Sequence, residues 1–241
     1  MGLTAVRTEI KLAPKSVLAF FLFVIVIIYF LSLAAVLVKY HFDDEYFRLT
    51  QFFDVGIEDN IPTIYSVVAL VFAGVVCFVT WSTSKTLGAK DPIYWFFLGV
   101  VMVFLGFDEG ATIHETIGSW VKRNYHGEGY FQWLWVVPYG VLTAWFAAAY
   151  FPFLMRLPNK TRLGLILSGA IFVGGAIGVE MISAAEYEAA KEAGVRSLKY
   201  YLLYSLEEFM EMLGIALFIY YVLDYLASLT PSIELKLRSE Q

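Results

Sequence analysis

The sequence predicts an all-α, polytopic membrane protein, a helical bundle with six transmembrane helices and both termini in the cytoplasm. Hydrophobic residues make up 59% of the 241 residues and charged residues 16%, whereas soluble domains have about 45–50% and about 25%. Six apolar runs reach the length of about 20 residues that crosses a bilayer. Of the 17 Lys and Arg residues, ten lie in segments that share a side with the N-terminus, an excess typical of the cytoplasmic side.

The six runs follow one another with short connections, so residues 1–241 are predicted to form a single transmembrane domain. The predicted spans are residues 17–38, 62–81, 94–117, 131–155, 163–185 and 202–226. The first run is longer than the apolar core of a signal peptide, about 7–15 residues, and we expect it to be retained. Outside the spans we expect a cytoplasmic N-terminal segment (1–16), an acidic and aromatic outer loop (39–61) and a cytoplasmic tail (229–241).

Composition also excludes several functions. A single cysteine excludes a disulfide scaffold and a CxxC metal or redox motif. The net charge of −5 gives no reason to expect nucleic acid as a partner. Trp120, Trp133 and Trp135 are interpreted as an aromatic belt at the outer membrane interface.

Ionisable side chains are concentrated at one depth of the predicted bundle. Each costs about 2.5–3.5 kcal/mol inside a span, yet the outer halves of spans three, five and six contain eight of them. These residues are Asp108, Glu109, His114, Glu115, Glu180, Glu207, Glu208 and Glu211. On a continuous helix, Asp108, Thr112 and Glu115 share one face, and Tyr204 lies on the acidic face of span six. Three polar faces at one depth predict a shared interior site that opens outward.

So many carboxylates cannot all be ionised in a low-dielectric site without compensation by protons or a cation. No Lys or Arg is predicted at this depth, which favours a bound divalent or trivalent metal ion. Carboxylates with one imidazole suit Fe, Mn, Zn or Ca, although the Glu-x-x-His motif of di-iron bundles is absent. The predicted metal ligands are Asp108, His114, Glu115, Glu180, Glu208 and Glu211. Glu109 and Glu207 are the predicted catalytic bases.

Four short motifs, taken as a set, resemble an uncharacterised family of bacterial six-span integral membrane proteins. The motifs are Glu58-x-Asn60-x-Pro62-Thr63, then Asp108-Glu109 followed after four residues by His114-Glu115, then Gly178-x-Glu180, and finally Glu207-Glu208-x-x-Glu211-Met212-x-Gly214. The resemblance covers about residues 20–228 and implies no activity. It implies that the residues where span two begins line the same site as Thr112 and Tyr204; they are Glu58, Asn60, Thr63 and Ser66.

Three functions remain open at this point. The first is a metal-dependent membrane enzyme, a hydrolase or oxidoreductase, whose ion activates water or oxygen against a lipid or other amphiphile. The second is a proton or divalent-cation transport protein, for which buried acids are typical, although the inner halves of spans three and six are apolar. The third is a structural subunit whose acids pair with a partner subunit or with a second copy of the chain. In each case we expect a multi-pass protein of the cell membrane, surrounded by lipids, with its site facing the extracytoplasmic side.

Overall fold

The computed structural model describes residues 7–11, 13–42, 48–230 and 232–236, and of residues 7–10 and 233–236 it describes the backbone alone. Part of the predicted outer loop, residues 43–47, lies outside the described residues, as do the chain ends 1–6 and 237–241. Nearly all of the described chain is helical. The elements are β1 (Arg7–Lys11), α1 (Pro14–His41), α2 (Leu49–Phe53), α3 (Ile61–Thr86), α4 (Ile93–Ala111), α5 (Ile113–Lys122), a 3-10 turn (Gly129–Phe131), α6 (Val136–Arg156), α7 (Asn159–Val173), a π-helical segment (Gly174–Val179), α8 (Glu180–Ala193), α9 (Leu198–Leu229) and β2 (Ser232–Lys236).

Six helices are long and apolar enough to cross a membrane: α1, α3, α4, α6, the continuous unit from α7 to α8, and α9. The prediction of a six-helix membrane bundle is therefore confirmed. The two strands are an addition that the sequence did not predict. They pair antiparallel, with Arg7 opposite Lys236, so the two chain ends meet at one end of the bundle. We call this the tail end, and the opposite end, which contains α5, the site end. The placement of the tail end in the cytoplasm stays a prediction.

Helix α9 lies at the centre of the bundle and packs against α1, α3 and α7. Its buried side chains Met212, Ile215 and Ile219 belong to the main apolar core. Where α7 crosses it, a Cβ on Gly214 would lie 2.8 Å from the backbone nitrogen of Phe172. Only glycine allows the two helices to approach this closely, as is common between helices in membranes. This close contact fixes α7 and α8, and therefore Glu180, against the acidic part of α9.

The predicted third span, residues 94–117, is wrong at its outer end. Helix α4 ends at Ala111, and Thr112 adopts a left-handed conformation with φ 48° and ψ 41° before α5 begins at Ile113. A left-handed residue other than glycine is uncommon and strained, and here it separates α4 from α5. The single polar face predicted through Asp108, Thr112 and Glu115 is therefore also wrong, because these residues do not share one helix.

The other helices extend a few residues beyond their predicted bounds, and two spans also differ in their local structure. The fourth begins at Val136 rather than at residue 131, because Gly129–Phe131 forms a separate 3-10 turn. The fifth runs from Asn159 to Ala193 and contains the π-helical segment Gly174–Val179 immediately before Glu180. Segments of π-helix change the rotation of the residues that follow and are frequent at functional sites. In this chain the segment sets the direction of Glu180.

Candidate functional site

A cavity of about 950 Å³ lies inside the bundle, between α4, α6, α7 and α9. Its part nearest the site end is lined by eight acids and one histidine, together with the predicted site residue Tyr204. These residues are Glu58, Asp108, Glu109, His114, Glu115, Glu180, Tyr204, Glu207, Glu208 and Glu211. All the residues predicted as metal ligands or catalytic bases thus meet at one cavity, although their chemical roles stay predictions.

Three residues that were predicted to line the site do not line this cavity. The buried side chain of Asn60 caps helix α3 instead, accepting a hydrogen bond from the Thr63 backbone N–H at 3.2 Å. The Thr63 hydroxyl also donates to Asn60, at 3.2 Å. Thr112 forms the left-handed link between α4 and α5. These residues shape the segments that carry Glu58 and His114, so their effect on the cavity is indirect.

Glu58, His114 and Glu115 form a group that can hold a metal ion. Each offers one ligand atom, and these atoms all lie within 4.8 Å of one another. Glu58 comes from the loop before α3, whereas His114 and Glu115 come from the first turn of α5. Among the residues that the structure describes, the Glu58 Oε2 atom is buried and has no hydrogen-bond partner. Burial, and after it the charge of Glu109, raises the pKa of the Glu58 carboxyl to about 7.

Asp108 orients the histidine of this group. Its Oδ2 lies 3.2 Å from His114 Nδ1, and its Oδ1 accepts a hydrogen bond from the Tyr139 hydroxyl at 2.7 Å. When Nδ1 carries the proton of this contact, Nε2 keeps the lone pair that binds metals. Burial lowers the pKa of the His114 imidazole, but the hydrogen bond and charge of Asp108, together with the charges of Glu58 and Glu109, raise it overall. A metal ion at this histidine would therefore have to compete with a proton.

A second group of acids lies around Ser183. The Ser183 hydroxyl is 3.3 Å from Glu180 Oε2 and 3.3 Å from Glu207 Oε2, and it can donate its one proton to only one of them at a time. The Trp135 indole N–H donates to Glu180 Oε1 at 3.2 Å. Trp135, which was interpreted as part of an aromatic belt, thus also contacts a cavity acid, and its place at the membrane interface stays a prediction.

The positive charge at this depth is small. Lys122, which was expected in an outer loop, lines the rim of the cavity, with its Nζ 5.7 Å from the centre of the Trp133 ring. The sequence predicted no basic residue at this depth, but Lys122 lines the cavity, and Lys39 lies 6.0 Å from the ring of the cavity residue Tyr204. Glu208 and Glu211 lie within electrostatic range of Glu58. One lysine and one histidine do not balance eight acids, so the cavity remains strongly negative when its acids are ionised.

Asp54 is a site-end acid that the sequence analysis did not single out. It is 0% exposed, and its carboxylate contacts Lys39 Nζ at 2.6 Å and accepts hydrogen bonds from the Tyr204 hydroxyl at 2.8 Å and the Gly56 N–H at 3.0 Å. Its backbone carbonyl accepts from the Asn60 side chain at 2.7 Å. These bonds fix the loop that carries Glu58. The sequence contained one signal for this role: Asp54 directly follows the short helix α2 and lies two residues before Gly56.

The cavity also continues toward the tail end as an apolar channel, which we call the apolar arm. Its walls come from α4, α6, α7 and α9, and include Leu98, Leu105, Phe146, Phe153, Leu165 and Phe218. From Asp108 to Leu98 the lining follows ten residues of α4, which is about 15 Å at 1.5 Å per residue. No charged side chain of the described residues lines this arm. The cavity therefore has a polar end and an apolar end.

The family model described as Domain of unknown function (DUF8692) matches residues 17–225, and the chain belongs to this family. The match includes every helix that lines the cavity. Membership of an uncharacterised family, expected from the four motifs, is confirmed to that extent, whereas the bacterial setting and the individual motifs stay predictions. No curated protein and no solved structure matches the chain significantly.

Proposed function

We propose that the protein is a metal-dependent membrane enzyme that hydrolyses a lipid or another amphiphile in the cavity. The observation that carries this proposal is the group of Glu58, His114 and Glu115, whose ligand atoms lie within 4.8 Å of one another on the wall of a large cavity. Three protein ligands and an open position are typical of catalytic metal ions, whereas structural zinc ions have four protein ligands.

Electrostatics supports a cation at this position. Eight acids line the cavity, and one exposed lysine and one histidine are the basic side chains beside them. A bound cation offsets the repulsion and allows the acids nearest to it to ionise. The set of oxygen ligands with one imidazole suits Zn, Fe, Mn or Ca. Asp108 then acts as the carboxylate that orients a metal-binding histidine, an arrangement common around such ions.

The proposed roles of the other residues follow from their positions. A metal ion at Glu58, His114 and Glu115 would make a bound water more acidic, and a neighbouring carboxylate would take its proton. Glu109 and Glu207 are the proposed bases. Glu180, Glu208 and Glu211 are proposed as further ligands or as groups that contact the polar part of the substrate.

The apolar arm favours an enzyme over a transport protein. Proton or cation transport needs polar groups along the whole path, but the described lining of the arm toward the tail end has no charged side chain. The arm instead suits the apolar part of an amphiphile. Hydrolysis needs no electron donor, and for this reason we prefer it to an oxidation; iron as the bound metal would reverse this preference.

Metal analysis of the purified protein tests the proposal. The chain is purified in detergent without chelator, and the metals are quantified for wild type and for the Glu58→Gln and Glu115→Gln variants. The control is Glu192→Gln, which changes an exposed acid of α8 outside the cavity. We expect stoichiometric metal in wild type and control, and loss of most of it in the other two. A metal-free wild type, or equal metal in all four proteins, contradicts the proposal.

We also propose that the site end faces the extracytoplasmic side, on the basis of the Lys and Arg distribution. The test replaces Cys77 with Ala and introduces one new cysteine, either at exposed His126 near the site end or at exposed Lys90 near the tail end. A membrane-impermeant thiol reagent added to intact cells should label position 126 alone. Labelling of position 90 alone would place the site in the cytoplasm.

A further inference from the structure

The apolar arm opens sideways toward the surface that a bilayer would cover. Four of its lining side chains are exposed although they line the cavity: Phe104 of α4, Leu142 and Trp145 of α6, and Ile166 of α7. Leu142 is 60% exposed and Trp145 is 70% exposed. Exposure this high on a cavity wall indicates that the wall is open, and these residues lie within helices long and apolar enough to cross a membrane. Molecules can therefore reach the arm directly from the apolar layer.

The structure of α6 explains this opening. Its buried residues are Val136 at one end and Tyr150 and Phe153 near the other. No residue from 137 to 149 is buried. The middle of the helix is therefore held away from α4 and α7, while both of its ends are fixed to the bundle. An apolar gap of this kind, which water enters poorly, suits a hydrocarbon chain.

The end of the arm farthest from the acids is closed. Leu98, Phe153 and Leu165 line it and are all buried. Phe153 stacks on the Tyr94 ring with 4.7 Å between the ring centres. The Tyr150 hydroxyl donates to the Tyr94 backbone carbonyl at 3.0 Å. Aromatic packing and a hydrogen bond therefore hold this floor in place.

We infer that the apolar arm binds one hydrocarbon chain of a membrane lipid, and that Leu98, Phe153 and Leu165 at its closed end set the chain length that the protein accepts. The lipid enters through the opening beside α6, with its polar head at the acids and its chain end at the floor. The distance between acids and floor, about 15 Å along α4, then limits the chain. The assignment of the head to the reacting position rests on the proposed function.

Chain length is the property that this geometry can select. Lipid tails are as apolar as leucine side chains, so moving a chain from the bilayer into the arm gains little from the hydrophobic effect. The fit of the chain to the arm therefore decides which lipid binds, because protein interiors pack closely and tolerate extra methylene groups poorly. A chain that is too long holds the head away from the acids, and one that is too short leaves empty space at the floor.

Binding of a homologous lipid series tests the inference without requiring activity. The probes are saturated 1-monoacylglycerols from octanoyl to stearoyl, offered to the full-length protein in lipid nanodiscs. Retention of each probe is measured by native mass spectrometry after release from the nanodisc. Leu165→Trp shortens the arm and Leu165→Ala lengthens it. Leu163→Trp is the matched control, because Leu163 is an exposed residue of the same helix that does not line the cavity.

We expect wild type and Leu163→Trp to retain the same preferred chain length. Leu165→Trp should bind the longest of the wild-type ligands about tenfold less tightly, a discrimination typical of pockets that exclude extra methylene groups, and should prefer a shorter chain. Leu165→Ala should prefer a longer chain. This variant still tests the inference if the tryptophan variant fails to fold. Equal retention of all chain lengths by wild type, or an equal shift in Leu163→Trp, overturns the inference.

A second experiment, with a chelator, separates this inference from the proposed function. The series is repeated with protein whose metal has been removed. If the protein as purified contains no metal and still selects a chain length, the result supports lipid binding in the apolar arm and contradicts the proposed metal-dependent enzyme. Stoichiometric metal without any chain-length selection supports the metal centre and contradicts the arm.

Discussion

Asp54 and Glu58 lie four residues apart in one loop, and their carboxylates have opposite surroundings. The Asp54 carboxylate contacts Lys39, Tyr204 and the Gly56 backbone N–H. The Glu58 carboxylate has a buried oxygen with no hydrogen-bond partner among the described residues. Buried polar groups are normally hydrogen-bonded, and an exception requires an explanation. The comparison indicates that protein groups satisfy the Asp54 carboxylate, whereas the unpartnered oxygen of Glu58 is available to a ligand.

The two acids depend on each other through the loop between them. Gly56 permits this arrangement, because a Cβ at this position would lie 2.7 Å from the Tyr204 ring. Tyr204 can therefore reach Asp54 over the loop backbone. Asp54 in turn holds the loop at the distance from which Glu58 reaches His114 and Glu115. We accordingly regard Asp54 as a positioning residue, whereas Glu58 is a ligand of the proposed metal ion.

The largest expected effect comes from Asp54→Ala. Removal of one partner of a buried ion pair costs about 3–5 kcal/mol, and we expect about 3 kcal/mol because Lys39 is 26% exposed. The free energy of unfolding in detergent measures this loss. The control is Asp224→Ala, which breaks an ion pair with Lys160, whose side chain is 60% exposed, and should cost at most about 1 kcal/mol. Similar losses in both variants would remove the distinction between Asp54 and a surface acid.

Glu58→Gln should not lower the stability of the metal-free protein, in contrast to Asp54→Ala. Without metal, its stability should equal or exceed that of wild type, because a buried and unpaired acid is removed. With metal at about 100 times the dissociation constant, wild type should gain about 2.7 kcal/mol and the variant should gain little. Thermal unfolding with and without metal measures both values. A metal-free Glu58→Gln protein that is clearly less stable than wild type would make Glu58 a structural acid like Asp54.

A smaller effect is expected when the orientation of His114 is disturbed. Asp108→Asn weakens the contact with His114, and changes of this kind lower metal affinity about 10–100-fold. Tyr139→Phe removes one hydrogen bond to Asp108, worth about 1 kcal/mol, and should lower the affinity less. Metal titration by calorimetry gives both affinities, and Tyr125→Phe, which changes an exposed tyrosine near the site end, serves as control. Unchanged affinity in Asp108→Asn would show that His114 does not bind the ion.

Several features could be predicted because they depend on local properties of the chain. The six membrane helices follow from the length of the apolar runs, and the match of depth among the acids follows from a constant rise per residue. The depth of a residue in the membrane depends only on how many residues separate it from the end of its span, and the sequence gives that number. For this reason the sequence brought Asp108, Glu180 and Glu208 to one level, and they do line one cavity.

Other features depend on contacts between distant residues, and only the tertiary structure decided them. No residue type signals the left-handed Thr112, which ends α4 and turns His114 toward Asp108. Trp135 and Glu180 are 45 residues apart, and Asp54 and Tyr204 are 150 residues apart. The sequence alone therefore determined which acids share a depth in the membrane. The packing of the helices decided which acids are paired and which are free to bind, because pairing depends on direction as well as depth.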